Sequence, residues 1–325
     1  MIESVVYRQG GATSFEDPDR AKAADGTTWI RVTDPGSADI DLLTDVFDVH
    51  QLSIQDVTEG ERPKLEEFDD YTFVVVKTAT LRREAATFAE ELRVTPVGVF
   101  IGSDWVLTLT PEPTDPVDRV WEAVQVAERR LLSRGPDFTA YRILDAIVSD
   151  YYAILDEVET RIETVEEAVI ESPDAAALEE LNGLRRDLLS VRRLFWPARD
   201  AIAVLARGDP DQVQVETEKY FRDVAEDLVH LAELADTYRE LVVGTREMYL
   251  NSVSVSTNEA MKTLTVVATI LLPLSFVVGL FGMNFGASPY NMPELGWRYA
   301  YPAVLLGLAG IAAVMAVHFH REGWL

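Results

Sequence analysis

Residues 262–284 read KTLTVVATILLPLSFVVGLFGMN and carry no charged side chain after the opening lysine. An α-helix needs about 20 apolar residues to cross a bilayer, so this stretch predicts a transmembrane helix. A second uncharged stretch, YAYPAVLLGLAGIAAVMAVHF at residues 299–319, follows after a short loop. Two spans this close form a hairpin whose two ends lie on the same side of the membrane. The part of the chain before residue 262 is expected on that side as well.

The few basic residues near the spans indicate which side that is. Lys262 precedes the first span and Arg321 follows the second, whereas the loop between them carries only Arg298. Basic residues favour the cytoplasmic side, so both termini are expected in the cytoplasm. The first residues, MIESVVYRQGG, lack the apolar segment of a signal peptide. The absence of cysteine agrees with a reducing compartment. We therefore predict a multi-pass protein of the cell membrane.

The 325-residue chain is strongly acidic, with a formal net charge of −26. Nucleic acid needs a basic surface, so it is not expected as a partner. Two interpretations of the acidity remain open. The carboxylates attract cations to the surface, or they form a solvated surface suited to a salt-rich cytoplasm, where their mutual repulsion is screened. The second interpretation would fit a halophilic source.

The first 115 residues alternate strand and helix signals. A helix that ends at Phe47 is expected to be capped by Ser37 or Asp39, and a second short helix is expected near residues 52–58. Runs rich in valine, isoleucine, threonine and aromatic residues predict strands at 3–8, 28–32, 71–81, 92–101 and 105–110, the last two joined by a hairpin turn. Residues 1–115 therefore predict a cytoplasmic α/β domain. No phosphate loop, metal-spaced histidine pair or nucleophile elbow occurs in it, so the chain is not expected to be an enzyme.

The remaining chain reads as helix, interrupted by proline and glycine. We predict a cytoplasmic helical hairpin region at 116–215, in which Ser172 caps the helix that ends at Arg207 and Pro197 introduces a kink. A stalk helix then continues into the first span at 216–285, about 100 Å of helix at 1.5 Å per residue. Helix of that length needs partners from its own chain or from other chains. An external loop (286–298), the second span (299–320) and a cytoplasmic tail (321–325) complete the prediction.

One stripe of the first span has helical spacing. Its members share a face because they recur every three or four residues. It starts polar, continues with bulky apolar residues, and ends small: Asn258, Met261, Leu264 or Thr265, Ala268, Leu272, Ser275, Gly279. This pattern predicts either a pore face that gates by dewetting or ordinary packing through small residues. Two spans per chain cannot enclose a water-filled path, so a pore would need a symmetric oligomer. Pro273 also leaves the Thr269 carbonyl without its helical donor, which favours a water-lined surface.

The tripeptide Gly282, Met283 and Asn284 closes the first span. Glycine permits the left-handed backbone that ends many helices and allows close approach of neighbouring chains. Asn284 contributes a carboxamide oxygen without charge. A ring of such oxygens suits a hydrated Mg²⁺, which loses its water reluctantly. The alternative interpretation is a simple helix C-cap.

Several segments together resemble the CorA magnesium transporter family. GMNF at 282–285 is followed by MPELGW at 292–297 and by the second span. The similar segments upstream are HQLSIQDV (50–57), RPKLEEFDDYTFVV (62–75), YFRDV (220–224) and the approach to the first span, STNEAMKTLTVVATILLPLSFVVGLFGMNF (256–285). The resemblance covers nearly the whole chain, and these motifs are highly specific.

The resemblance implies a funnel-shaped homopentamer in a lipid membrane, with an α/β cytoplasmic domain, a long-helix stalk and two transmembrane helices per chain. The implied function is a channel for passive, potential-driven uptake of Mg²⁺, with Co²⁺ and Ni²⁺ as further divalent ions. The first spans would line the pore and the second spans would form an outer ring. Intracellular Mg²⁺ would close the channel, so Mg²⁺ is both the expected cargo and a candidate regulatory ligand.

The family's functional residues carry over to particular positions. Gly282, Met283 and Asn284 match the selectivity filter at the outer mouth. Asp223 and Asp145 match regulatory metal carboxylates, and Glu84 is the acid nearest the position of their usual partners. The matching pore-lining positions are Asn258, Met261, Leu264, Leu272, Ser275 and Gly279. From its exposed place in MPEL, Glu294 is a candidate attractor of external cations, or a solvated loop residue.

Three departures from the family pattern bear on the mechanism. Arg82 and Arg83 stand where the partner carboxylates usually lie, so an arginine facing Asp223 would replace a bound metal. The loop 286–291 is longer than usual. The tail, HFHREGWL, carries fewer basic residues than the family's usual end; its His318 and His320 are too few for a soft-metal site. The alternative functions are a carrier for zinc or another transition metal, and a membrane-anchored scaffold or signalling protein.

Overall fold

The computed structural model describes residues 1–8, 11–81, 92–125, 132–171, 173–283 and 292–324. It divides into two compact units, Met1–Arg246 and Glu247–Leu325.

The first unit contains a sheet whose described strands are ordered β2-β1-β3-β7-β6-β5-β4. The β3–β7 pair is parallel and the other pairs are antiparallel. The strands are β1 (Ile2–Arg8), β2 (Gly11–Phe15), β3 (Thr27–Thr33), β4 (Lys64–Glu67), β5 (Tyr71–Leu81), β6 (Leu92–Gly102) and β7 (Trp105–Thr110). Three short helices precede β4: α1 (Pro18–Lys22), α2 (Ser37–Phe47) and α3 (Gln51–Thr58).

Helices cover both faces of the sheet. The side chains of the central strands are therefore buried on both sides, which agrees with their almost wholly apolar sequence. On one face, α2 and α3 bury a core that includes Phe47, Tyr71 and Trp105. On the other face, Trp29 meets Trp121 edge to face, with ring centroids 4.8 Å apart. The hydroxyl of Tyr151 there donates to the Lys77 carbonyl. The predicted strands, the β6–β7 hairpin and the helix ending at Phe47 are confirmed, whereas β2, β4 and α1 were not predicted. The cap predicted for α2 is wrong, because its N-cap is Gly36 and not Ser37 or Asp39.

The turn between β6 and β7 depends on a glycine without space for a side chain. A Cβ atom at Gly102 would lie 2.3 Å from Cε2 of the Trp105 indole. That indole packs against Phe47, with ring centroids 5.3 Å apart, so it has little freedom to move.

Gly102→Ala is therefore expected to destabilise the α/β unit by about 1–3 kcal/mol, the usual cost of overpacking a core. Thermal unfolding of the purified protein measures this. The control is Gly183→Ala, at a helix position where an added Cβ would meet nothing within 4 Å. Equal unfolding temperatures for the two variants would contradict this explanation of Gly102.

The long helices follow the sheet. They are α4 (Asp115–Gln125), α5 (Pro136–Glu171), α6 (Ala175–Arg207), α7 (Val215–Phe281) and α8 (Ala300–Arg321), with 3₁₀ turns at Leu132–Arg134 and Pro293–Gly296. The cap predicted for α6 is wrong. Its N-cap is Asp174, whose carboxylate accepts from the Ala177 amide at 2.9 Å, and Ser172 lies outside the described residues. Gly208, with φ of 69°, ends α6 in the left-handed conformation.

The continuous helix predicted from residue 216 into the first span corresponds to α7. By length and composition, α7 and α8 are long and apolar enough to cross a membrane. The α/β unit, the long helix and the two candidate spans confirm these parts of the predicted fold class. The pentamer, the kink at Pro197 and the predicted domain boundaries stay predictions.

Candidate functional site

The part of α7 in the second unit has one partly covered face. The side chains of this face are buried or half-buried. They belong to residues 262, 266, 269, 270, 273, 274, 277 and 281. Their spacing places them on one side of a helix that turns about 100° per residue. At the start of this face, the ammonium of Lys262 donates to the Gly323 carbonyl just after α8. At this first position, the covered face of α7 contacts the residues that follow the second span.

The six predicted pore-lining residues all lie on the uncovered side of α7. Met261, Leu264 and Leu272 are 57%, 70% and 69% exposed, and Asn258, Ser275 and Gly279 are also exposed. At about 100° per residue, the mean direction of this stripe lies roughly 150° from that of the covered face. The structure therefore places the stripe on the side of α7 away from its covered face.

The middle of the stripe presents an apolar surface. Thr265 is its one hydroxyl residue between Asn258 and Ser275, and that hydroxyl donates to the Met261 carbonyl of the same helix at 2.7 Å. The polar atom is thereby satisfied by the backbone. A surface of this kind, polar at one end, apolar in the middle and small at the other end, can line a narrow path that excludes water at its centre.

Backbone hydrogen bonds continue to the end of α7 and include the glycine that follows it. The Gly282 amide donates to the Val278 carbonyl at 2.9 Å, and the Met283 amide donates to the Leu280 carbonyl at 3.2 Å. Gly282 is not among the described glycines with positive φ, so it does not use the left-handed backbone that glycine permits. Asn284 lies outside the described residues. Glu294 is exposed in the turn Pro293–Gly296, where its backbone carbonyl accepts from the Trp297 amide.

The predicted regulatory carboxylates lie near one another in the first unit. Asp145 of α5 is influenced electrostatically by Asp223 and Asp227 of α7. Burial raises the pKa of Asp145; Arg142, 3.2 Å away, opposes this rise, and the two α7 carboxylates add to it. Asp227 was not predicted, although it follows Asp223 by four residues and so shares its helix face. Glu84 and Arg82 lie outside the described residues.

The described residues of one chain do not by themselves complete a metal site here. Within the described part of the chain, no three histidine, cysteine or acidic residues are grouped so that they could hold a metal ion. Asp145 and Asp223 could supply carboxylate oxygens, which are the ligands that Mg²⁺ prefers. The remaining ligands would have to come from water or from elsewhere. The regulatory role of these residues stays a prediction.

Hydroxyl-to-carboxylate hydrogen bonds also join α5 to α7. Tyr152 donates to Asp227 at 3.1 Å, and burial together with that carboxylate raises the pKa of Tyr152 to about 12. Two further bonds of the same kind are Tyr238 to Glu159 at 2.9 Å and Thr245 to Glu166 at 2.8 Å. Because partners are 75–79 residues apart in the chain, their spacing alone could not reveal them.

Asp145→Asn is expected to raise the unfolding temperature at neutral pH in divalent-free buffer. Because the folded-state pKa of Asp145 is raised, the folded protein loses stability as the pH rises through that pKa. The gain is expected to be on the order of 1 kcal/mol and to vanish below the ordinary aspartate pKa of about 3.9. Asp41→Asn, at an exposed position, is the control. A gain that persists at acidic pH would contradict this explanation.

Together, a soluble α/β unit, a long helix and two candidate spans define a class of membrane protein with a large extramembrane part. The profile of the family described as CorA-like Mg²⁺ transporter protein matches residues 24–321. The cobalt/magnesium transport protein CorA of Thermotoga maritima is 33% identical over 321 residues, covering 98% of this chain and 89% of that protein. The chain therefore belongs to the CorA-like Mg²⁺ transporter family, whose members are transporters and not enzymes.

Solved structures show the same fold. The complete structure of the CorA magnesium transporter from Methanocaldococcus jannaschii superposes with a TM-score of 0.84 at 22% identity, covering 100% of this chain and 99% of that one. The full-length CmaX protein superposes with a TM-score of 0.74 at 21% identity, covering 99% of this chain and 97% of that one.

Proposed function

We propose that this chain forms a homopentameric channel in the cell membrane for passive, potential-driven uptake of Mg²⁺, closed by intracellular divalent cations. Membership of a Mg²⁺ transporter family supports the cargo. Co²⁺ is a second candidate ion, because the Thermotoga maritima relative is named a cobalt/magnesium transport protein. Both termini would lie in the cytoplasm.

The position of the exposed stripe is the observation that carries the proposal. It lies on the side of α7 away from the covered face, where first spans brought together around an axis would meet. A single chain with two candidate spans has no enclosed path, so a closed ring of copies would be needed. Five copies would place five apolar stripes around one axis, with Asn258 at the inner end.

The driving force requires no chemical step. The membrane potential contributes about 2.3 kcal/mol per charge per 100 mV, and hence about twice that for a divalent ion. A ring of Asn284 carboxamides at the outer mouth would hydrogen-bond the water shell of Mg²⁺ without removing it. Glu294, exposed in the nearby turn, would raise the local concentration of cations.

Closure would depend on Asp145 and Asp223, with Glu84 as a further ligand. The position of these carboxylates supports this: burial raises the pKa of Asp145, and repulsion by the nearby Asp227 and Asp223 carboxylates adds to that rise. A bound divalent cation would relieve that repulsion. When intracellular Mg²⁺ falls, the ion would leave and the cytoplasmic parts would separate.

Cysteine scanning of the first span tests the proposal, since the chain contains no cysteine. Single cysteines at Leu264, Leu272 and Ser275 are expected to react with a water-soluble, charged thiol reagent and thereby to block Mg²⁺ uptake. The control is Thr263→Cys, an exposed position at least about 100° around the helix from all three. Block at Thr263 and not at Leu272 would contradict the assigned pore face.

A further inference from the structure

A basic cavity lies in the first unit. Its volume is about 820 Å³, and it lies between α6 and the β5–β6 side of the sheet. Its described lining includes Arg62, Lys77, Arg192, Arg193 and Trp196. Cavities of this size commonly hold small molecules.

The charge of the cavity is opposite to that of the protein. The chain has 55 acidic and 29 basic residues, yet four basic side chains line this cavity and no carboxylate appears among its described lining residues. They come from separate segments: Arg62 before β4, Lys77 on β5, and Arg192 and Arg193 on α6. Their convergence makes a positive concavity that would concentrate anions.

Much of this positive charge is uncompensated. Arg192 lies 3.5 Å from Asp236, and the Lys77 ammonium donates to the Gly60 carbonyl. Arg62 and Arg193 form no salt bridge with any residue that the structure describes. Burial lowers the pKa of Lys77; the Glu61 carboxylate opposes this effect, and repulsion by the neighbouring Arg62 adds to it. An anion in the cavity would remove this repulsion.

The number of cations that line the cavity favours an anion with several charges. Guanidinium groups bind phosphate oxygens in pairs, and three or four separate cations match more than one phosphate. Trp196, 38% exposed, adds an aromatic surface. We propose that this cavity binds a polyphosphate anion, either a nucleoside triphosphate whose base stacks on Trp196 or an inorganic polyphosphate.

Calorimetric titration of the full-length protein in detergent tests this, with adenosine triphosphate and inorganic tripolyphosphate as probes in divalent-free buffer. The double variant Arg62→Ser/Arg193→Ser is expected to bind both probes at least about tenfold more weakly, a change of about 1.4 kcal/mol. The control, Arg185→Ser/Arg186→Ser, removes the same charge from positions of α6 outside the described lining.

The outcomes separate the alternatives. Trp196→Leu is expected to weaken only adenosine triphosphate if a nucleotide is the ligand, and neither probe if an inorganic polyphosphate is. No binding of either probe by the unaltered protein would overturn the proposal. An equal loss in the control variant would also overturn it, because attraction would then depend on net charge and not on the cavity.

Discussion

Leakage of Mg²⁺ through the closed protein is expected to rise about tenfold when Leu272 is replaced by asparagine, the effect of lowering a barrier by about 1.4 kcal/mol. Leu272 is 69% exposed on the stripe of α7 that faces away from the covered side. In a ring of chains, such side chains would surround a gap too apolar to hold water. A carboxamide at this position would hold water there and lower the barrier to a hydrated ion.

Flux measurements at high internal Mg²⁺, which favours the closed state, would detect this leak. Val278→Asn is the matched control, because Val278 is 56% exposed but lies on another side of the helix. It is expected to leave the leak unchanged. A leak that rises equally in both variants would indicate general damage to the membrane part and would contradict the assignment of Leu272.

Asn284→Ala is expected to reduce Mg²⁺ flux by about two orders of magnitude or more while the oligomer stays intact. Each carboxamide would contribute a hydrogen bond of about 1 kcal/mol to the water shell of the ion, and a symmetric ring multiplies that contribution. Uptake into vesicles measures the flux, and size-exclusion chromatography measures the oligomer.

The control for this variant is Asn291→Ala, an asparagine of the predicted external loop that follows the first span. It is expected to conduct normally, because the resemblance assigns no role to Asn291. Normal flux in Asn284→Ala would remove Asn284 from the mechanism, and loss of the oligomer would show that its role is in assembly.

Local patterns were sufficient for much of the fold. The uncharged runs predicted both candidate spans, and the runs of β-branched residues predicted the central strands. Strands β2 and β4 were missed because GATSF and KLEE have little strand character of their own and are ordered by pairing with β1 and β5. The cap of α6 was placed two residues early because serine and aspartate are equally good caps.

The candidate site was predictable only where it depends on helical spacing. The stripe of α7 follows from positions three and four residues apart, so its common face could be read from the sequence. The contact of Tyr152 with Asp227 and the basic cavity join segments far apart in the chain, which only the folded structure brings together. The backbone of Gly282 also depends on its surroundings, since glycine permits several conformations.

Mg²⁺ influx into proteoliposomes, with an inside-negative potential and varied internal Mg²⁺, tests the proposed function most directly. Influx is expected to follow the potential and to fall as internal Mg²⁺ rises. An influx rate that does not change with the internal Mg²⁺ concentration would contradict closure through Asp145 and Asp223. No influx at any potential or internal Mg²⁺ concentration would contradict the proposal that this chain forms a Mg²⁺ channel.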